Sequence, residues 1–282
     1  MLYICATPIG NLEDVTLRVL RVLKEVDIIA AEDTRQTGKL LNHYEIKARV
    51  VSLHQHNEEK KVSVLIEWLK EGLSVALVSD AGMPGISDPG ALLIQEAIAE
   101  DIPLTVLPGA NAAITALVQS GLLAGPFYFH GFLPRKKRNV LSILHKLKPV
   151  PVPIIFYEAP HRILATLIRM QEVFGDRRCA ISRELTKKFE ETKRGVISEM
   201  VAHFSEVDPR GEFVVVLEGE TEVNEDPREE LDVLEHLTAL IDGGKTKKEA
   251  IKETAKILGV AKNEVYQKAI ELGVNSKSQR SE

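Results

Sequence analysis

The sequence is poor in cysteine: Cys5 and Cys179 are the only two among its 282 residues. Two thiols cannot make a disulfide framework or supply a tetrathiolate zinc site, and they fit a reducing compartment. No apolar run approaches the length of a membrane span. The opening residues MLYICATPIG lack a charged leader region and run straight into a strand-like segment, so they read as fold rather than signal peptide, and a cytoplasmic location is expected. Neither GxGxxG nor a P-loop occurs, and no lysine is placed to cradle a triphosphate, which argues against a nucleoside triphosphate ligand. Long-period repeats and low-complexity tracts are absent as well.

What is present describes an ordinary globular chain. Hydrophobic residues make up 44% and charged residues 27%, far from disordered or fibrous compositions. The length suits two domains and a small third one, with room for a cleft between domains. A net charge of -5 argues against a surface that binds nucleic acid all over, but the charge is unevenly spread. Residues 135–148 carry Arg135, Lys136, Lys137, Arg138, Lys146 and Lys148 without one acid, whereas residues 218–235 are strongly acidic.

The first half alternates apolar runs with helical patterns. LYICAT, DIIAAE, VVSL, SVALVS and PLTVLP are separated by helices near 16–24, 34–42, 58–71 and 89–100. Such alternation predicts an α/β fold with a mainly parallel sheet and a ligand beyond the carboxyl ends of its strands. After a helix near 111–119 the runs FYFHGF, PIIFYEA, CAISREL and GEFVVVLEG alternate with helices near 136–146, 162–173 and 197–204, predicting a second α/β domain with a more mixed sheet. The expected domains are 1–121 and 122–219, followed by an acidic linker and small helical tail over 220–282. In the tail, Thr246 and Glu249 have capping-box spacing. Ile251, Ala255 and Leu258, then a turn at Gly259, then Val265, Ala269 and Leu272 describe two short amphipathic helices.

Three connections that leave strands in the first half carry the ligand signal. The sharpest is SDAGMPGISDPG at 79–90, where two prolines and several glycines impose an irregular backbone able to approach a ligand. Its bland alternative is a tight connection in which Asp88 caps the next helix. CATPIGNLEDVT at 5–16 and LPGANAA at 107–113 are the others, and Gly109, Ala110 and Ala112 leave room for an adenine.

TPIGNLEDVT, AEDTR, SDAGMPGISDPG, LPGANA, GFLPRK, YEAPHR and GEFVVVLEG, in this order over roughly residues 2–219, resemble the ribosomal RNA ribose methyltransferases of the tetrapyrrole methylase superfamily. The tail resembles the extra domain that many of these proteins carry. One departure is Met83, where the pattern more often has Thr; it removes a hydroxyl and leaves the loop geometry. The resemblance implies a two-domain tetrapyrrole-methylase-like fold with S-adenosylmethionine in the cleft, and a homodimer. It further implies methylation of a ribose 2′-hydroxyl of a cytidine in the decoding region of small-subunit RNA. Carried over residue by residue, the cofactor contacts are Ile9, Asp80, Gly82, Met83, Ile86, Ser87, Asn111, Ala112, Tyr157, Glu212 and Phe213. Asp80 would face the cationic part of the cofactor.

Methyl transfer needs alignment above all, with a base as an aid and no metal. Two polar runs offer candidates. AEDTR with SLHQHNEE supplies Asp33, Arg35, His54, His56, Asn57 and Glu58; SRELTKKFEE supplies Arg183, Glu184, Lys187 and Glu190. Arg35, His54, Glu184 and Lys187 are the catalytic candidates, against capping and surface charge as the structural alternatives for their neighbourhoods. His54 and His56 could share a strand face, but without a third ligand they make a poor zinc site. In YEAPHR, Glu158, His161 and Arg162 suit a site, while Pro160 and His161 equally suit a helix start. Arg135, Lys136, Lys137 and Arg138 are candidates for RNA phosphates, or merely a solvated helix start. Two further readings stay open: a tetrapyrrole C-methyltransferase, which the motifs and basic run disfavour, and a ribosome-associated binding protein that catalyses nothing.

Overall fold

Strands and helices alternate through the first half of the computed structural model, which describes residues 1–123, 125–220, 227–258 and 262–271. The elements are β1 (Leu2–Cys5), α1 (Leu17–Glu25), β2 (Ile28–Ala31), α2 (Thr34–His43), β3 (Arg49–Ser52), α3 (Glu58–Lys70), β4 (Val75–Val78), α4 (Ala91–Ala99) and β5 (Leu104–Leu107). The five strands form one sheet in the order β3-β2-β4-β1-β5, every neighbouring pair parallel. β2 and β4 are buried along their whole length, as a parallel sheet covered on both faces requires. α3 and α4 bring Val62, Leu65, Leu69, Leu93 and Ala97 onto one face. The other face takes Val19, Val22 and Leu23 of α1 with Leu40 and Leu41 of α2.

The second half runs through α5 (Ala112–Ser120), β6 (Tyr128–Phe132), α6 (Lys137–Leu147), β7 (Ile154–Glu158), α7 (Ile163–Phe174), β8 (Arg178–Arg183), β9 (Glu191–Val196), α8 (Ile197–Glu206) and β10 (Phe213–Leu217). Its sheet has the order β6-β7-β10-β8-β9 and is mixed: β6 and β7 are parallel and the remaining pairs antiparallel. One strand was not anticipated. β9, with the sequence ETKRGV, is an edge strand bearing charges at three of its six positions, so it lacks the apolar alternation that marks a half-buried strand. α6, α7 and α8 fill one face around Phe156, Leu167, Met170 and Val215. α5 fills the other: Ala113, Ala116 and Leu117 pack on Ile155, Val214 and Val216, joined by Ile9 from the β1–α1 connection. Both cysteines are buried, and burial pushes each thiol up to about 12.

Residues Met1–Glu220, holding both sheets, form one compact unit and Thr221–Glu282 another. The described part of the second unit is three helices, α9 (Pro227–Asp242), α10 (Lys247–Leu258) and α11 (Lys262–Glu271). Val233, Leu237, Ile251, Ala255, Val265 and Ala269 form its core, with Leu258 packed against it. The expected capping box is present, since Thr246 N–H donates to Glu249 Oε2 at 3.0 Å and Glu249 N–H to Thr246 Oγ1 at 3.4 Å. α9 corrects the expected linker, because Pro227 opens a helix inside the acidic run; Pro at a first helical position is well tolerated. Residues 221–226, Gly259 and Leu272, named in the expected linker and tail, lie outside the described residues. Among the described residues no helix is long and apolar enough to cross a membrane.

Candidate active site

The 79–90 connection doubles back beside β1. Thr7 and Gly82 exchange backbone hydrogen bonds at 2.9 and 3.0 Å, and Thr7 Oγ1 donates to the Ser79 carbonyl at 3.0 Å. Gly82 makes this turn at φ +80°, a region that side-chain-bearing residues rarely occupy. The connection ends at Gly90, which precedes α4 at φ +121° and has no side chain to cap it. Instead Gly90 N–H donates to Glu58 Oε1 at 2.8 Å. The proposed capping role of Asp88 is therefore replaced by a carboxylate from α3, and Asp88 is left facing a cavity.

That cavity has a volume of about 330 Å³. Ten of the eleven expected cofactor contacts line it: Ile9, Gly82, Met83, Ile86, Ser87, Asn111, Ala112, Tyr157, Glu212 and Phe213. Asn111 is fixed as the N-cap of α5, its side chain accepting from Ile114 N–H at 3.1 Å. Ala81, Asp88, Phe132, Glu158, Ala159, Pro160 and Val214 complete the wall without having been singled out as cofactor contacts. Phe132 meets Tyr157 edge-on with ring centroids 5.5 Å apart. Its place follows from GFLPRK leaving β6, parallel to β7 and in register with it at Phe132 and Tyr157. Burial raises both the Asp88 carboxyl and the Tyr157 hydroxyl above their ordinary values.

Asp80 lies elsewhere. It lines a neighbouring polar cavity of about 320 Å³ with Thr7, Gln36, Thr37, Lys39, Ser79 and Lys187, and the two cavities share Ile9, Ala81 and Glu212 as wall residues. Asp80 and the β2–α2 corner clasp each other: Asp33 N–H donates to Asp80 Oδ1 at 3.0 Å, and Asp80 N–H to Glu32 Oε2 at 3.4 Å. Burial raises the carboxyl groups of Glu32 and Asp80, with neighbouring negative charges acting in the same direction. Asp33 goes the other way. Hydrogen bonds from Arg35 bring it down to about 2, through a pair 2.7 Å apart.

The catalytic candidates do not converge. Glu184 and Lys187 do come together, with Lys187 Nζ 3.0 Å from both Glu184 Oε1 and Glu212 Oε2. Burial opposes the Lys187 charge, but the two carboxylates outweigh it and hold the ammonium more firmly than usual. Arg35 is 88% exposed and engaged with Asp33. His54 follows β3 in a turn, its N–H donating to Asn57 Oδ1 at 2.9 Å. Neither Arg35 nor His54 lines the two cavities. His54 and His56 sit after the strand rather than on its face, with ring centroids 6.0 Å apart. Among the described residues no group of three or more His, Cys, Asp or Glu is arranged to hold a metal ion.

YEAPHR is chiefly a knot that shapes the cavity wall. Glu158, 2% exposed, accepts from Ala159 N–H at 2.9 Å and from the Thr166 hydroxyl at 2.6 Å, and lies 3.3 Å from Arg162 Nε. Arg162 in turn donates to the carbonyls of Leu133 and Pro134, tying GFLPRK to YEAPHR. α7 starts only at Ile163, beyond Pro160 and His161. Arg135, Lys136, Lys137 and Arg138 are exposed at the N-terminal end of α6, whose first turn holds no acid.

The chain belongs to the tetrapyrrole (corrin/porphyrin) methylases, whose family model matches residues 1–201. It is 51% identical over 270 residues to ribosomal RNA small subunit methyltransferase I of Bacillus subtilis (strain 168), covering 94% of this chain and 92% of that protein. A protein of the same name from Synechocystis sp. (strain ATCC 27184 / PCC 6803 / Kazusa) is 42% identical, with 96% and 98% covered. Solved structures share the fold at lower identity. Uroporphyrin-III C-methyltransferase from Thermus thermophilus complexed with S-adenyl homocysteine has a TM-score of 0.56 at 17% identity, over 77% of this chain and 96% of that one. The methyltransferase CobJ has a TM-score of 0.60 at 18% identity, over 78% and 94%.

Proposed function

We propose that this protein transfers the methyl group of S-adenosylmethionine to the ribose 2′-hydroxyl of a cytidine in the decoding region of small-subunit (16S) ribosomal RNA, acting in the cytoplasm as a homodimer. The observation that carries the reading is the single apolar cavity on which the separate motif-bearing connections converge. The substrate half rests on near-full-length identity to relatives named for small-subunit ribosomal RNA.

The lining suits the cofactor. Ile9, Met83, Ile86 and Phe213 offer apolar surface to a purine, Ser87, Asn111 and Tyr157 offer hydrogen-bonding side chains, and Asp88 and Glu212 set negative charge toward cationic groups. Asp88 takes the role expected of Asp80. When bound, S-adenosylmethionine supplies a methyl group already activated on a cationic sulfur. What remains for the protein is to hold the acceptor in line and exclude water, and orientation alone contributes roughly 7–11 kcal/mol to lowering such a barrier. Lys187, held as an ammonium by two carboxylates, acts as a fixed cation rather than a base.

Cations at a helix N-terminus oppose the helix dipole, so Arg135, Lys136, Lys137 and Arg138 are better explained by an anionic partner than by helix stability. RNA phosphate fits them. The dimer reading is supported by exposed apolar side chains on β5, α5, the segment after it and the start of β6: Val106, Ile114, Val118, Leu123, Phe127 and Tyr128.

The test is transfer of radiolabelled methyl from S-adenosylmethionine to small ribosomal subunits from cells lacking the protein, with the labelled nucleotide mapped. Label in a 2′-O-methylcytidine of the decoding region is expected. Unlabelled subunits, with active cofactor, would overturn the reading in favour of a tetrapyrrole acceptor or of binding without catalysis.

A further inference from the structure

We infer that Phe189 is a stacking platform for an unpaired base of the substrate RNA that flanks the methylated nucleotide, with Lys188 meeting the phosphate beside that base. The inference rests on the proposed function and adds a specificity residue to it. Phe189 belongs to the connection between β8 and β9 and is 65% exposed, more than any other phenylalanine, tyrosine or tryptophan among the described residues. A lone apolar side chain at the surface needs no explanation. The way this one is held does.

The connection is stiff and strained. Glu184 and Thr186 take left-handed backbone at φ +50° and +65°, two of the four side-chain-bearing residues that do so among the described residues, and for a β-branched threonine that conformation is costly. Hydrogen bonds pin the turn to its neighbours. Thr186 Oγ1 accepts from Asn11 N–H at 3.0 Å, Thr186 N–H donates to Glu190 Oε2 at 2.7 Å, and Gln119 Nε2 donates to Glu190 Oε1 at 2.9 Å. Leu185 is buried with Ala113 and Leu117 of α5. Stability gives no reason to hold a bare phenyl ring in water on such a turn. A ring fixed in advance loses little freedom when a flat ligand settles on it.

The surroundings point to the ligand. Lys188 Nζ lies 5.7 Å from the centre of the Phe189 ring. The same lysine lines an open cavity of about 460 Å³ with Asn11, His43 and Lys187, where Glu13 is the one acid. That cavity shares Gly10, Leu12 and Lys187 with the polar cavity of Asp80, which shares Ile9, Ala81 and Glu212 with the cofactor cavity. A concave surface therefore runs from the methyl donor to the foot of Phe189, along which a strand can lie. An aromatic face beside lysines suits an unstacked base and its phosphate in single-stranded RNA, whereas the centre of a protein interface is depleted in lysine.

Phe189→Leu keeps the apolar bulk and removes the aromatic face, and Phe189→Tyr keeps the face. The side chain stands in solvent, so neither change threatens the fold. With small subunits from cells lacking the protein as acceptor, Phe189→Leu should lower kcat/KM about tenfold, and Phe189→Tyr should stay near the wild-type value. Calorimetric affinity for S-adenosylmethionine and the sedimentation coefficient should be unchanged in both. A Phe189→Leu protein with wild-type kcat/KM, or a Phe189→Tyr protein that falls as far, overturns the inference. So does a loss accompanied by altered sedimentation, which would give the ring to a second copy of the chain. Each of these leaves the methyltransferase reading intact, whereas wild-type protein that labels no subunit brings down the reading and the inference together.

Discussion

The two sheets of the first unit reach one cavity by different means. In the parallel sheet every strand points the same way, so the connections after β1, β4 and β5 leave from a common edge and their loops meet there without further arrangement. The mixed sheet brings a strand end and a strand beginning together: β7 and β10 are antiparallel, Glu158 pairs with Phe213 and Tyr157 with Val214, and all four line the cavity. One sheet thus contributes long irregular loops, the other a short, regular edge. Loops can be rebuilt to suit a ligand, whereas a paired edge is rigid and depends on the buried groups behind it.

Removing the Glu158 carboxylate should break the rigid side most severely. Glu158→Ala strands Arg162, Thr166 and the Ala159 N–H, and urea unfolding should show a loss of about 3–5 kcal/mol, the range for breaking a buried charge pair. On the loop side the largest effect should come from Gly90→Ala, since a Cβ there would lie 2.6 Å from Leu77 Cδ2 on a backbone at φ +121°. A loss of roughly 2–3 kcal/mol in the same measurement is expected from clash and strain together. The comparison also predicts a division of labour between cofactor and RNA. Replacing Arg135, Lys136, Lys137 and Arg138 by glutamine should weaken subunit binding about tenfold and flatten its salt dependence. Cofactor affinity, measured by calorimetry, should not change; an unaltered salt slope would separate α6 from the RNA.

The smallest expected effect is a gain. Burial and the nearby Asp88, Asp80 and Asp33 raise the Glu32 pKa in the folded protein. Its contribution to stability is therefore complete below the unfolded-state value of about 4.3 and is lost as pH rises through the higher folded value. Glu32→Gln keeps an oxygen for the Asp80 N–H and removes the charge. Its melting temperature should exceed that of the wild type by about 1–2 °C at pH 8, with the gap closing below about pH 4.

Much of this was legible in the sequence because local signals agreed with the fold. VALV and FVVVL are apolar enough to be fully buried strands, and Thr16, Asp33 and Asn111 mark helix starts where their side chains do accept from the helix backbone. β9 was not legible, since an edge strand tolerates the charges that disguise it. The division between Asp80 and Asp88 was equally hidden: eight positions apart in one run, they end in different cavities because the Thr7–Gly82 bridge folds the loop back on itself.

The two buried thiols have a practical consequence. With the pKa of each pushed up to about 12, only about one thiol in 100,000 is ionised at pH 7, and neither side chain is open to solvent. Maleimide reagents will therefore pass over the folded wild-type chain. A fluorophore attached through a cysteine introduced at an exposed position, such as Arg135, would report the arrival of RNA against a silent background.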